Sequence, residues 1–209
     1  MRLTVILALI LCGFTLAGAE FPLMKDGKAA CCIVTAPDAG VAEQHAAAEL
    51  AKFLGKIAGG NPPEVSGEPS GGMYPVFLKI AEDSAVSGDG FRIEARADAL
   101  VISACNPRGI LYGVYEILKQ YGGIRWLMPG EDGEYFTVKP VIAVPEGNKV
   151  YNPSFKFRTF FFESCSTISP MWETYDWILR NNMYIEVSPG VFNNKRLKTG
   201  LSQRAAEIG

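Results

Sequence analysis

The 209-residue chain contains a single histidine, His45, and no Cys-x-x-Cys pair, so no spacing in it resembles a zinc site. Nor is there an excess of charge of either sign: 20 Lys and Arg stand against 22 Asp and Glu, a formal net charge of -2. Nucleic-acid binders carry a basic domain or stripe, and this balance argues against such a partner. The glycines at 109, 113, 122 and 123 do not fit G-x-G-x-x-G, which removes the usual phosphate cradle. What remains is a chain with 48% hydrophobic residues, the profile of a folded protein rather than a disordered one.

The N-terminus reads MRLTVILALILCGFTLAGAE. Arg2, an apolar run from Leu3 to Leu11 and the A-x-A arrangement Ala17-Gly18-Ala19 are the parts of a secretory signal peptide, with cleavage expected between Ala19 and Glu20. The run is shorter than the roughly 20 apolar residues that span a bilayer, so no membrane span is expected and the mature chain is expected to be secreted or periplasmic. Cys12 raises a lipoprotein alternative, against which stands the bulky Leu11 before it. Removal of residues 1–19 leaves Cys31, Cys32, Cys105 and Cys165, an even number that permits disulfides. The adjacent pair Cys31-Cys32 would be strained if bonded together and reads as buried free thiols on a core strand.

Residues 29–35 form a short apolar strand-like run, and PDAG at 37–40 punctuates it. From Val41 to Ala58 the stripe Ala46, Leu50, Phe53, Leu54 and Ile57 has helical spacing, and Gly59-Gly60 stops the helix. After a Gly/Pro loop at 59–72 come three strand-like runs at 75–81, 91–96 and 99–104. In the second, Phe91, Ile93 and Ala95 alternate with Arg92, Glu94 and Arg96; the last two are close enough for a hairpin. One apolar and one charged face predict an antiparallel sheet covered on one side. Asn106 and Pro107 then suit the N-cap and first turn of a helix with the stripe Ile110, Leu111, Val114, Ile117, Leu118 and Tyr121, ended by Gly122-Gly123. The strand IRWL and the turn-rich MPGEDGEYF complete a β-helix-β unit. Gly113 inside that helix costs about 1 kcal/mol relative to alanine, and a close approach of helix to sheet is the expected compensation.

These residues carry a resemblance. AAAELAKFLGKIAG (46–59) and DGFRIEARADALVISACNPRGILYGVYEILKQYGGIRWLMPGEDGEYF (89–136) resemble the N-terminal α/β domain that precedes the catalytic barrel in family 67 α-glucuronidases and family 20 β-hexosaminidases. The resemblance implies an α/β fold of α+β character, a sheet with two covering helices, followed by an incomplete (β/α)8 barrel. The expected organisation is a signal peptide at 1–19, an accessory domain at 20–150 and the beginning of a truncated barrel at 151–209. Within the last part, 151–164 looks like linker and first strand, 171–183 like the first helix, 184–188 like the second strand and 196–208 like the start of the second helix. A barrel takes roughly 250 residues, so about a quarter is expected in this chain and the rest is missing from it.

The implied function is that of a non-catalytic domain of an exported glycoside hydrolase acting in polysaccharide or glycan breakdown, its carbohydrate substrate bound through the missing barrel. The alternative is a non-enzymatic carbohydrate-binding or cell-surface module. Glycoside hydrolysis needs two positioned carboxyl groups, and the resemblance puts them on later strands, so Glu163 is not expected to be catalytic. Arg158 in FKFRTFF matches the position at which family 20 enzymes grip sugar hydroxyls, and is the expected substrate-binding residue; its other reading is an arginine paired with a carboxylate. His45 and Glu49, four apart on a helix, lack a third ligand and read as a surface pair, and a Cys165–His45 catalytic pair has no local signature. Trp126 and Tyr135 suit stacking on a sugar but read as filling the interface with the barrel. No cofactor and no metal are expected. A tail from 155 to 209, with its phenylalanines short of strands to pack against, is expected to be lost to protease, leaving a core that ends near 145–155.

Overall fold

The computed structural model describes residues 19–158 and 171–184. Residues 1–18 of the expected signal peptide, Glu163, Cys165, residues 159–164 of the expected first barrel strand, all but Tyr184 of the expected second and the expected helix at 196–208 lie outside the described residues.

The main sheet has six strands in the order β11-β6-β7-β5-β3-β4: Gly147–Tyr151, Phe91–Ala95, Leu100–Ala104, Tyr74–Ile80, Cys31–Val34 and Val65–Ser66. It is mixed, which corrects the antiparallel expectation. β3 runs parallel to β4 and β5, and β5 parallel to β7, while β6 is antiparallel to β7 and β11. The reason is connectivity. Helix α1, Val41–Ala58, supplies the crossover that a parallel β3–β5 pair requires. The loop at 81–90 then carries the chain past β5 to the far side, so that β7, closing the expected hairpin with β6, slots back between them. β3 is buried on both faces, whereas β5, β6 and β7 are covered on one side as expected: Val76, Leu78, Ile93, Leu100 and Ile102 join one core with residues of α1 and of the helix at 107–117. On the other face Arg92 pairs with Asp83 and Arg96 with Glu94.

Both helices form where local signals place them. α1 ends in Gly59 at φ 68°, the left-handed conformation that halts a helix. α2, Pro107–Ile117, is capped by Asn106, whose Oδ1 accepts the Gly109 N–H at 3.0 Å. It runs on into a π-helical turn, Leu118–Gly122, which ends at Gly123 with φ 82°. Gly113 faces the sheet as expected, and a Cβ built there would stand 2.5 Å from Ile102 Cγ2. The strand after α2 does not return to the main sheet: β8, Arg125–Trp126, pairs only with β9, Glu134–Tyr135, in a separate ribbon. A third sheet sets β1, Glu20–Lys25, between β10, Ile142–Pro145, and β2, Lys28–Ala29, and buries Phe21, Leu23 and Met24.

Helix α3, Met171–Arg180, corrects the reading of everything past 155 as a tail without packing partners. Tyr175, Ile178 and Leu179 are buried, and Tyr175 and Leu179 join the same core as α1 and α2. Protease resistance is therefore expected to extend to this helix.

Candidate functional site

β11 ends at Tyr151, and the next residue is fixed to the loop before β6. Ser87 N–H donates to Asn152 Oδ1 at 2.9 Å, and Asn152 Nδ2 donates to the Ala85 carbonyl at 2.9 Å. This anchoring brings Arg158 over α2. Its Nε donates to the Asn182 carbonyl at 2.8 Å, Nη1 to the Phe155 carbonyl at 2.7 Å and Nη2 to Asp89 Oδ2 at 3.1 Å. The guanidinium lies 5.6 Å from the Tyr112 ring and 5.9 Å from that of Tyr184. Asp89 Oδ2 also receives Arg108 Nη1 at 3.3 Å, so one carboxylate is shared by two guanidinium groups.

Beside this cluster opens a cleft of about 170 Å³, lined among others by Asp89, Tyr112, Glu116, Asn152, Arg158 and Asn182. Tyr112 donates its hydroxyl to the Met183 carbonyl at 2.9 Å, and burial, helped by the nearby Asp89 charge, holds that phenol well above its ordinary pKa. Three of Arg158's N–H donors are thus committed to partners among the described residues, and its guanidinium also bonds the Tyr112 side chain. The carboxylates are engaged too: Asp89 by two arginines, Glu116 by Lys119 at 3.5 Å. The lining thus sets these paired charges beside the apolar faces of Phe91, Tyr151 and Pro153.

The structure shows the other reading of Arg158, an arginine paired with a carboxylate, through Asp89. The His45–Glu49 reading needs correction at one end. Glu49 is no surface residue; it is 6% exposed and receives Arg180 Nε at 2.9 Å and the Tyr115 hydroxyl at 3.3 Å. Its position carried a signal, since Glu49 stands beside Leu50 in the apolar stripe of α1 and four before Phe53. A carboxylate on a core-facing stripe calls for a buried cation. Arg180, its partner, and Glu134, beside them, were not read from the sequence. Trp126 is 3% exposed, packed between α1, α2 and α3, and has no face free for a sugar, whereas Tyr135 is 65% exposed. Among the described residues, no group of three or more His, Cys, Asp or Glu could hold a metal ion, and no helix is long and apolar enough to cross a membrane.

Cys31 and Cys32 are buried free thiols on β3, and Cys105 is an exposed one. Burial, with the Cys32 thiol beside it, pushes the Cys31 pKa up to about 12. The reactive species is the thiolate, so alkylation of the folded chain in mildly alkaline buffer is expected to modify Cys105 well before Cys31 or Cys32. Peptide mapping by mass spectrometry checks this, and equal rates would refute it.

No family model and no curated protein matches the chain. Solved structures do. A family GH115 4-O-methyl-α-glucuronidase with specificity for decorated arabinogalactans is 11% identical, with a TM-score of 0.54, over 78% of this chain and 25% of that one. A Streptomyces plicatus β-hexosaminidase in complex with GlcNAc is 18% identical with a TM-score of 0.49, and a Streptomyces coelicolor GH20 β-N-acetylhexosaminidase 20% identical with 0.48, each over 68% of this chain and 25% of the other. The likeness is one of fold. It joins this mixed α/β structure to a part of glycoside hydrolases, and the chain spans about a quarter of their length.

Proposed function

We propose that the chain is the accessory α/β domain of an exported glycoside hydrolase of α-glucuronidase or β-hexosaminidase type, with the beginning of its catalytic barrel. The observation that carries this reading is the fold shared with the GH115 α-glucuronidase over 78% of the chain. In this reading residues 1–19 are a signal peptide, 20–150 the accessory domain and 151–209 the start of a (β/α)8 barrel whose first helix is α3. The accessory domain then works by position: α1, α2 and the β8–β9 ribbon give α3 a surface to pack on. Carbohydrate is the substrate class, and Arg158 contacts sugar oxygens through its guanidinium. Paired donors on a planar fork match vicinal hydroxyls, as an ammonium does not.

The test is turnover and binding by the same chain. No hydrolysis of aryl α-glucuronides or aryl N-acetyl-β-glucosaminides is expected, and release of the aryl group above the enzyme-free rate would refute the accessory role. Calorimetric titration with glucuronate and with N-acetylglucosamine tests Arg158. Arg158→Gln is expected to weaken whichever sugar binds by about tenfold, the worth of a charge-assisted hydrogen bond. Equal affinity, or no affinity in either chain, removes Arg158 from the site.

A further inference from the structure

Four side chains from three elements of the α/β unit, α1, β8 and β9, converge on one side chain of α3. Arg180 Nε donates to Glu49 Oε2 at 2.9 Å and Nη2 to Glu49 Oε1 at 3.2 Å, a two-pronged contact with a carboxylate on α1. Nη1 lies 3.9 Å from Oε1 of Glu134 on β9, whose other oxygen takes the Lys56 ammonium. On one side, the guanidinium carbon stands 5.0 Å from the Phe53 ring and 5.8 Å from that of Trp126, two rings set edge-on to each other. The side chains of Arg180 and Glu49 are 8% exposed and that of Glu134 is 2% exposed. The walls also hold one another: Trp126 meets Phe53 edge-on at 5.2 Å and Tyr115 at 5.5 Å, and Glu134 pairs with Trp126 in the ribbon.

Two acids and two aromatic faces around a planar cation form a site shaped for one chemical group. An ammonium at the same place would keep the charge, but it could not fork onto both oxygens of Glu49 while presenting a further N–H to Glu134 and a weakly hydrated face to the two rings. Loss of the cation leaves two buried carboxylates with one partly exposed lysine between them, which is costly in a dry site. The contribution of α3 is otherwise modest and generic: an apolar stripe, and Trp177 Nε1 and Asn181 Nδ2 donating to the Trp126 carbonyl at 2.9 and 3.1 Å.

We propose that Glu49, Phe53, Trp126 and Glu134 form a guanidinium receptor on the α/β unit, and that its occupancy by Arg180 is what docks α3. The receptor does not depend on the proposed glycosidase role. Any helix presented there must bring an arginine at this position, and an isolated guanidinium ion is itself a ligand for the site once Arg180 is gone.

Hydrogen exchange read by mass spectrometry on the full chain tests this. In Arg180→Ala the amides of α3 are expected to exchange on the order of a hundredfold faster, and in Arg180→Lys roughly tenfold faster, while β5 and β7 keep their protection. Millimolar guanidinium chloride, far below denaturing concentration, is expected to restore protection of α3 in Arg180→Ala; ammonium chloride at equal ionic strength is not. Rescue by both salts or by neither overturns the proposal. Should Arg180→Ala open the sheet amides as well, Arg180→Lys decides: wild-type exchange of α3 there would show that charge alone suffices and would likewise overturn it.

Discussion

Trp126→Ala is expected to destabilise the chain by about 4 kcal/mol, the largest effect of any single truncation near α3. The side chain is 3% exposed and meets Phe53 and Tyr115 edge-on, so its loss opens a cavity bounded by three helices that none of them can close alone. Its indole N–H is buried without a hydrogen-bond partner among the described residues. Trp126→Phe removes that cost along with part of the ring, and is expected to lose no more than about 1.5 kcal/mol. Urea denaturation of the two variants and the parent checks both figures. Near-equal losses would mean that the part of the indole a phenyl ring cannot replace, rather than ring volume as such, carries the packing.

A second large effect is expected at Gly113. A leucine there should cost about 3 kcal/mol, because even its Cβ falls 2.5 Å from Ile102 Cγ2 and 3.4 Å from the Phe91 ring. Relief requires α2 to lift from β6 and β7, which would loosen Ile110, Leu111 and Val114 as well. The cause can be isolated with a double-mutant cycle. Gly113→Ala is expected to be strongly destabilising in the parent and much less so in an Ile102→Ala background, where the clashing methyl is gone. Additive losses would show that the strain lies elsewhere on the helix.

Gly113 was legible in the sequence because an unfavourable residue in an otherwise good helix demands a reason that geometry can supply. The same holds for α1, whose apolar stripe, glycine stop and length are local properties, and for the β6–β7 hairpin, whose strands are separated by only four residues. Sheet order was not legible. Whether β5 lies parallel to β7 depends on where the loop at 81–90 deposits the chain, and no residue within β5 encodes it. β1, β10 and β11 escaped notice for a related reason: EFPLMK contains a proline, IAVP is short and GNKVY is mostly exposed, so none shows a clean alternation. The site divides in the same way. Arg158 stood in a recognisable local string, but Asp89, its partner, is 69 residues away, and Glu49 and Arg180 are separated by 131. A charge on an apolar stripe announces that a partner exists; only the fold says which.

The register of the three-stranded sheet has a consequence for synthesis. Glu20 pairs with Pro145 and Phe21 with Val144, so the first described strand has its principal partner at the far end of the α/β unit. A chain that emerges N-terminus first must carry Phe21, Leu23 and Met24 uncovered while more than a hundred residues follow, and contacts of such long separation form slowly. During that interval the apolar edge of β1 is open to any other unpaired strand, including the same strand of a neighbouring nascent chain. The segment with the greatest exposure to misassociation is therefore the six residues from Glu20 to Lys25, the earliest of the described strands, whose main partner follows more than a hundred residues later.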